Sequence, residues 1–258
     1  MANTFINPEL FQAGVEAKLE GKRNLLPLVQ SESITGVQAG KINLISNVYD
    51  AEAEEVAPGK QIPIKNLKQE KVEVEFKKIA VGHKILDEEV NRGFGDPIGF
   101  AETSLAKAID VYQDKEVADL LETATKFNVE GEVTSDTIID SIAMFGDEFT
   151  NGENFLVMSP ANYGKLQKSL AKTNTTLELQ NNPYGVQIIL SSHVGDNAYL
   201  VQEGAIKEYV EQAVEIEPER DAGTKSTDVY GSKMYGVQLY DESKVVGIKP
   251  KTASTGGK

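Results

Sequence analysis

Cysteine is absent from this sequence. That excludes a disulfide framework, a thiolate metal site and a thiol nucleophile, and it fits a chain that works in a reducing cytoplasm. Histidine is scarce: His83 and His193 are the only two. They lie far apart, in no metal-binding spacing, and read as surface or hydrogen-bonded structural residues. No run approaches the roughly 18 consecutive apolar residues of a membrane span. The start, Met1 to Glu9, lacks the basic opening and apolar core of a signal peptide. No Gly-x-Ser-x-Gly turn is available for a serine nucleophile. Gly93-x-Gly95-x-x-x-Gly99 has neither the dinucleotide spacing nor the lysine ending of a phosphate loop, and reads as a turn before a helix. Positive charge is outnumbered, with 26 Lys and Arg against 40 Asp and Glu, a net charge of −14. That balance disfavours tight non-specific DNA binding, which needs clustered cations. It suits a protein that stays soluble at high concentration, or one that sits near nucleic acid without sticking to it.

What the chain does have is room for one large domain or two modest ones, with 258 residues of which 40% are apolar. Its most telling stretch is a long polar ribbon, Ala39 to Ile85. The flanks alternate like strands, Lys41-Ile42-Asn43-Leu44 going out and Val72-Glu73-Val74-Glu75-Phe76 coming back. Between them stand Glu52, Glu54 and Glu55, then Pro58-Gly59, then a return limb dotted with Lys60, Lys65, Lys68 and Lys71. A lone two-stranded hairpin is marginal in water, so the ribbon needs a surface to lie on. Nothing else in the chain is shaped to cover it, and a neighbouring subunit is the natural cover.

Ahead of the ribbon, Asn7 to Arg23 reads as a helix with Asn7 as cap and Pro8 at its first position. Leu10, Phe11, Gly14, Val15 and Leu19 form its apolar face. Asn24 to Gly36 reads as an irregular connection. Behind the ribbon, Asp87-Glu88-Glu89-Val90 makes a short helical turn, and Asp96-Pro97 opens a long helix. Ile98, Leu105, Ile109, Tyr112, Glu116, Leu120 and Ala124 recur along it to about Thr125, with Val111, Val117 and Leu121 on one flank. It predicts a rod on the order of 40 Å.

From Thr134 helices and strands alternate. Ser135 caps a helix carrying Ile138, Ile139, Ile142, Phe145 and Phe149, and Phe155-Leu156-Val157-Met158 reads as a buried strand. Ser159-Pro160 opens another helix, with Tyr163, Leu166 and Leu170 on its face. Tyr184 to Leu190, Ala198 to Gln202, Tyr209 to Ile216, Val229 to Leu239 and Lys244 to Ile248 read as extended. The class is α+β. Thr252 to Lys258 is a polar tail expected to be disordered. Asn174-Thr175-Thr176 is a glycosylation sequon, inert without secretion. The carboxylate groups Asp87-Glu88-Glu89, Asp147-Glu148 and Glu215-x-Glu217-x-Glu219 read as solvated faces.

The order of these parts resembles the major capsid protein of tailed bacteriophages, the Hong Kong 97-like fold. The likeness sits in Leu105-Ala106-Lys107-Ala108-Ile109 with Asp114, and in Leu156-Val157-Met158-Ser159-Pro160-Ala161-Asn162-Tyr163-Gly164-Lys165-Leu166. It continues through Gly185 to Ser191 with Ala198-Tyr199-Leu200, then Val214 to Asp221, then Asp228-Val229-Tyr230-Gly231 through Val246. The resemblance implies an N-terminal arm at 1–38 and an extended loop at 39–85. It implies a peripheral domain of 86–129 and 228–250 with a spine helix at 97–125, an axial domain at 130–227 and a tail at 251–258. It also implies a virion protein, assembled in the host cytoplasm as a homo-oligomer of hexamers and pentamers. The shell would enclose double-stranded DNA without sequence-specific binding and without a membrane, alongside a portal. Some relatives carry a cleaved scaffolding segment before the arm. This chain runs straight from Met1 into the arm, so a separate scaffolding protein is expected, or none is needed.

Within that reading no residue is catalytic and none binds a cofactor or metal. The expected subunit contacts are Leu10, Phe11, Val15 and Leu19 of the arm and Glu52, Glu54, Glu55, Lys60, Lys65 and Lys68 of the ribbon. One alternative is an encapsulin-type bacterial compartment, which would enclose an enzyme. Another, from a different class, is an acidic metal-dependent hydrolase, which predicts a small oligomer with a bound ion.

Overall fold

The computed structural model describes residues 7–19, 23–35, 40–48, 55–56, 59, 61, 68–92, 95–150, 152–171 and 184–250. Glu52, Glu54, Lys60, Lys65, Gly93, the 174–176 sequon and the tail from 251 lie outside the described residues.

Helix α3, Pro97–Thr123, organises the molecule; its 27 residues make a rod of about 40 Å. Asp96 caps it by accepting the Gly99 N–H at 3.0 Å, and Pro97 presets the first turn. Its buried face differs from the apolar spacing. That face runs through Ala101, Leu105, Ile109, Gln113, Val117 and Leu121, flanked by Asp110 and Asp114. Val111 and Tyr112 are exposed instead. Polar residues complete the inner face, so the pattern in the sequence points a fraction of a turn away from the real core.

Before α3 come α1 (Pro8–Leu19), β1 (Val29–Ser33), β2 (Lys41–Val48), β3 (Lys68–Glu75), β4 (Lys77–Leu86) and α2 (Asp87–Arg92). After it come β5 (Phe127–Glu130), α4 (Ser135–Phe145), β6 (Asn154–Met158), α5 (Pro160–Ala171), β7 (Gln187–Leu190) and β8 (Ala198–Gln202). Two long strands follow, β9 (Ile206–Asp221) and β10 (Ser226–Leu239), and β11 (Val245–Lys249) is the last of the described elements. The cap of α4 is Thr134, not Ser135: Thr134 and Thr137 exchange bonds in a capping box, and Ser135 is already helical. Nor is the stretch after Asn24 irregular throughout. Val29–Ser33 becomes a strand because it finds a parallel partner in Ile206–Val210 of β9, far along the chain.

A four-stranded sheet has the order β1-β9-β10-β4 and a five-stranded sheet the order β5-β11-β8-β6-β7. The N-terminal half of α3 and α1 cover the first sheet through Phe11, Val15, Leu105, Ile109, Val214, Ile216 and Val229. The C-terminal half of α3 packs through Val117 and Leu121 on one face of the second sheet, against Phe155, Val157, Tyr199 and Val201. Ile138 of α4 and Leu166 of α5 cover its other face against Leu156, Met158 and Leu200. Successive residues of β6 and β8 thus enter different cores, which is why both read as continuous apolar runs. Strands cross the expected domain limits. β4 belongs to the four-stranded sheet rather than the ribbon, β9 joins that sheet rather than the axial part, and β11 sits inside the five-stranded sheet.

Candidate assembly surfaces

The ribbon is the two-stranded ladder β2–β3, with Lys41 opposite Glu75, Ile42 opposite Val74 and Leu44 opposite Val72. Its alternation follows from which side touches the body: Val74 is 2% exposed, whereas Glu73 and Glu75 face solvent. On that open face Lys41 Nζ reaches Glu73 Oε1 at 2.5 Å and Glu75 Oε1 at 2.7 Å. The two hydrogen bonds raise the Lys41 pKa, and the bond from Lys41 lowers that of Glu75. Such exposed groups fix local geometry and add little stability in salt. At the foot, the Phe76 N–H donates to the Gly40 carbonyl at 2.8 Å, and Gly40 takes φ +73°, a left-handed value that suits glycine. The foot rests on Gly236 of β10, where any Cβ would stand 2.8 Å from Glu75 O and from Val74 Cγ1. Of the expected ribbon contacts, Glu55 is exposed and Lys68 lies in β3.

The arm departs from expectation. Phe11 and Val15 are 2% and 0% exposed within their own subunit, and Leu19 packs against the same cluster. Phe11 and Val15 have no free surface to offer a neighbour, because their own subunit already encloses them, whereas Leu19 is half-buried. Leu10, at 71% exposed, points away from the body. Lys18 Nζ binds Glu102 Oε2 at 2.6 Å and the Gly99 carbonyl at 3.0 Å, and Gln12 Nε2 donates to the Val214 carbonyl at 3.3 Å.

Just after the arm helix lies a polar knot that sequence reasoning missed. Glu208 of β9, with a side chain 1% exposed, accepts on both oxygens. Arg23 Nη1 at 2.8 Å and Ser31 Oγ at 3.2 Å bond to Oε2, while Gln113 Nε2 at 2.6 Å and Lys233 Nζ at 3.0 Å bond to Oε1. Asp114 accepts the backbone N–H groups of Asn24 and Leu25 at 3.0 and 3.2 Å, and its Oδ1 lies 3.6 Å from Arg23 Nε. Burial opposes ionisation of Glu208, yet attraction to Arg23 and Lys233, with their hydrogen bonds, holds its carboxyl below the ordinary value. The one available signal was the Asp110-x-x-Gln113-Asp114 interruption of an otherwise apolar helix face.

Two more carboxylates tie distant parts together. Arg220 bonds Asp87 through a two-pronged fork at 2.7 and 2.5 Å, and that hydrogen bonding lowers the Asp87 pKa. Glu242 accepts the Thr125 N–H at 2.6 Å and the Lys126 N–H at 2.9 Å, which lowers its pKa too. His83 Nε2 pairs with Ser104 Oγ at 2.8 Å, and His193 donates its backbone N–H to Ser191 Oγ. Glu215, Glu217 and Glu219 line the exposed face of β9, opposite the buried Val214 and Ile216. Among the described residues no group of three or more His, Cys, Asp or Glu is placed to hold a metal ion. None of their helices is long and apolar enough to cross a membrane.

Comparison with known proteins bears on these surfaces. A family model described as phage capsid protein matches residues 69–248. The major capsid protein of Staphylococcus phage phiMR11 is 32% identical over 268 residues, covering 96% of this chain and 95% of that protein. Among solved structures, the capsid of Cyanophage P-SCSP1u superposes with a TM-score of 0.69 at 12% identity, over 88% of this chain and 87% of that one. An encapsulin complex from Synechococcus elongatus gives 0.63 at 11% identity, with the same 88% and 87% coverage.

Proposed function

The chain belongs to the phage capsid protein family, and from that premise we propose how it builds its shell. As the major capsid protein of a tailed phage it is a structural component of the virion. In the proposed assembly, hexamers and pentamers close into an icosahedral shell around double-stranded DNA, with a separate scaffolding protein and a portal. The five-stranded sheet with α4 and α5 forms the axial part at the fivefold and sixfold centres. The four-stranded sheet with α3 forms the peripheral part, and the ribbon from Gly40 to Phe76 reaches across to the next subunit. Its acidic Glu52, Glu54 and Glu55 and its basic Lys60, Lys65 and Lys68 meet opposite charges there and fix register.

The observation that carries this reading is the ribbon: among the described residues β2 and β3 pair only with each other, while their foot is anchored firmly on the body. A strand pair so exposed gains a stable surface only in an assembly. No catalytic turnover is proposed for this shell protein. Negative-stain microscopy and size-exclusion chromatography of the purified protein test the shell. A persistent monomer at high concentration and physiological salt, with scaffold present, would overturn it. The likeness to an encapsulin concerns the fold alone, and the particle contents separate the two: DNA supports the virion, and a packaged enzyme the compartment.

A further inference from the structure

We propose that α1 is a fixed part of its own subunit's body: in the shell it stays on the α3 and β9 of its own chain and is not exchanged with a neighbour. The proposal rests on the shell reading.

Burial is the first argument. Phe11 and Val15 are enclosed by Ala101, Leu105, Val214 and Ile216, and undocking α1 would return both side chains to water. Directed polar contacts are the second. Lys18 is held by Glu102 and the Gly99 carbonyl, and Gln12 by the Val214 carbonyl. At Gly14 a Cβ would meet the Glu102 carboxyl group at 2.7 Å. The Glu102 carboxyl group therefore lies directly against the α1 backbone, where Lys18 also holds it.

The third argument is the length of the leash. Leu19 ends α1, and Arg23 is already locked in the buried knot with Asp114 and Glu208. The four peptide steps between them cover at most about 14 Å when fully extended. Exchange into a groove beyond that reach would first require Arg23 to leave its carboxylate partners, stranding charge in the interior. The outer edge of α1, with Leu10 exposed, is then a rigid ridge of the subunit rather than a moving arm.

The Lys18–Glu102 pair supplies its own probe, because a carbodiimide joins an amine and a carboxylate in direct contact. Unlabelled and ¹⁵N-labelled subunits are mixed, assembled, crosslinked and digested, and the peptide pair joining residues 18 and 102 is weighed. The expected result is pairs that are wholly light or wholly heavy. Mixed light–heavy pairs, approaching half of the total in a random mixture, would overturn the proposal. So would a pair present in free subunits and lost from shells. As a second measurement, oxidised shells of the Gly14→Cys, Glu102→Cys double variant should run as monomers on a non-reducing denaturing gel, and a ladder of multimers would refute fixed docking. Failure to assemble any shell, with the crosslink present in the free subunit, would overturn the shell reading that the proposal depends on.

Discussion

Replacing Gly236 by alanine asks whether the ribbon is aimed by its foot. The added methyl would stand 2.8 Å from the Glu75 carbonyl oxygen and from Val74 Cγ1. Ordinary contact needs about 3.5 Å, so one strand must yield by about 0.7 Å. β10 is gripped along both edges, by β9 and by β4, whereas β3 has β2 as its ladder partner. The ribbon is therefore the side that moves. Its pivot is the Phe76–Gly40 hydrogen bond, two residues or about 7 Å from Val74, and 0.7 Å over that arm is a turn of about 6°. Across the eight-residue ladder, about 27 Å long, the far end shifts by about 3 Å. The subunit itself should lose about 1–3 kcal/mol, the usual range for overpacking. Thermal melting reads the second effect, and light scattering with electron micrographs reads the first. The expected result is a modest fall in Tm with a marked loss of regular shells. Wild-type assembly by a destabilised subunit would refute aiming by the foot, and unchanged melting would show that no push occurs.

Phe11→Ala should destabilise the isolated subunit by about 3–5 kcal/mol, as a buried aromatic does; a near-normal melting curve with failed assembly would instead put Phe11 at a subunit boundary. Glu208→Gln leaves the buried Arg23 with Asp114 alone and the partly buried Lys233 without its carboxylate, so denaturant unfolding should show a loss of about 3–5 kcal/mol; a neutral result would mean that the knot carries no net charge coupling. Asp87, Glu208 and Glu242 all have folded pKa values below the ordinary 3.8, 4.5 and 4.5. Their contribution is complete above those ordinary values and is lost as pH falls through the folded ones, so Tm should hold steady above about pH 5 and drop below about pH 4. Stability that rises on acidification would contradict the sign of all three. Reversing Glu52, Glu54 and Glu55 to lysine should slow or misdirect assembly at low salt, with part of the defect fading as salt screens charges over about 8–10 Å; normal low-salt assembly would limit these charges to solubility.

The parts that could be read from sequence are those whose physics is local. Asp96-Pro97 marks the start of α3, alternation marks the ribbon, and the apolar runs at 155–158 and 198–202 mark strands buried on both faces. Pairing over long distances left no such trace. Val29-Gln30-Ser31-Glu32-Ser33 has a polar, turn-like composition and becomes a strand only beside β9. The apolar face of α1 was legible, but its partner was not, because periodicity shows that a face is buried and never against whom. The knot around Glu208 was hidden for a similar reason. Arg23, Gln113, Asp114, Glu208 and Lys233 are scattered surface-type residues until the fold brings them together.

The parallel pairing of Val29–Ser33 with Ile206–Val210 sets a clock on synthesis. A ribosome has made the arm, the ribbon and the whole of α3 long before β9 exists. During that interval Arg23 has no Glu208, and Leu25 and Leu28 have no finished sheet to enter. β11, at 245–249, then inserts between β5 and β8 as the last of the described strands, with Val245, Val246 and Ile248 wholly buried. A nascent or prematurely terminated chain therefore lacks both the anchor for its own arm and the strand that joins β5 to the rest of its second sheet. Long-range closure of this kind is slow. It also acts as an inspection step, because only a chain translated through β11 can lock into the shape that neighbours recognise.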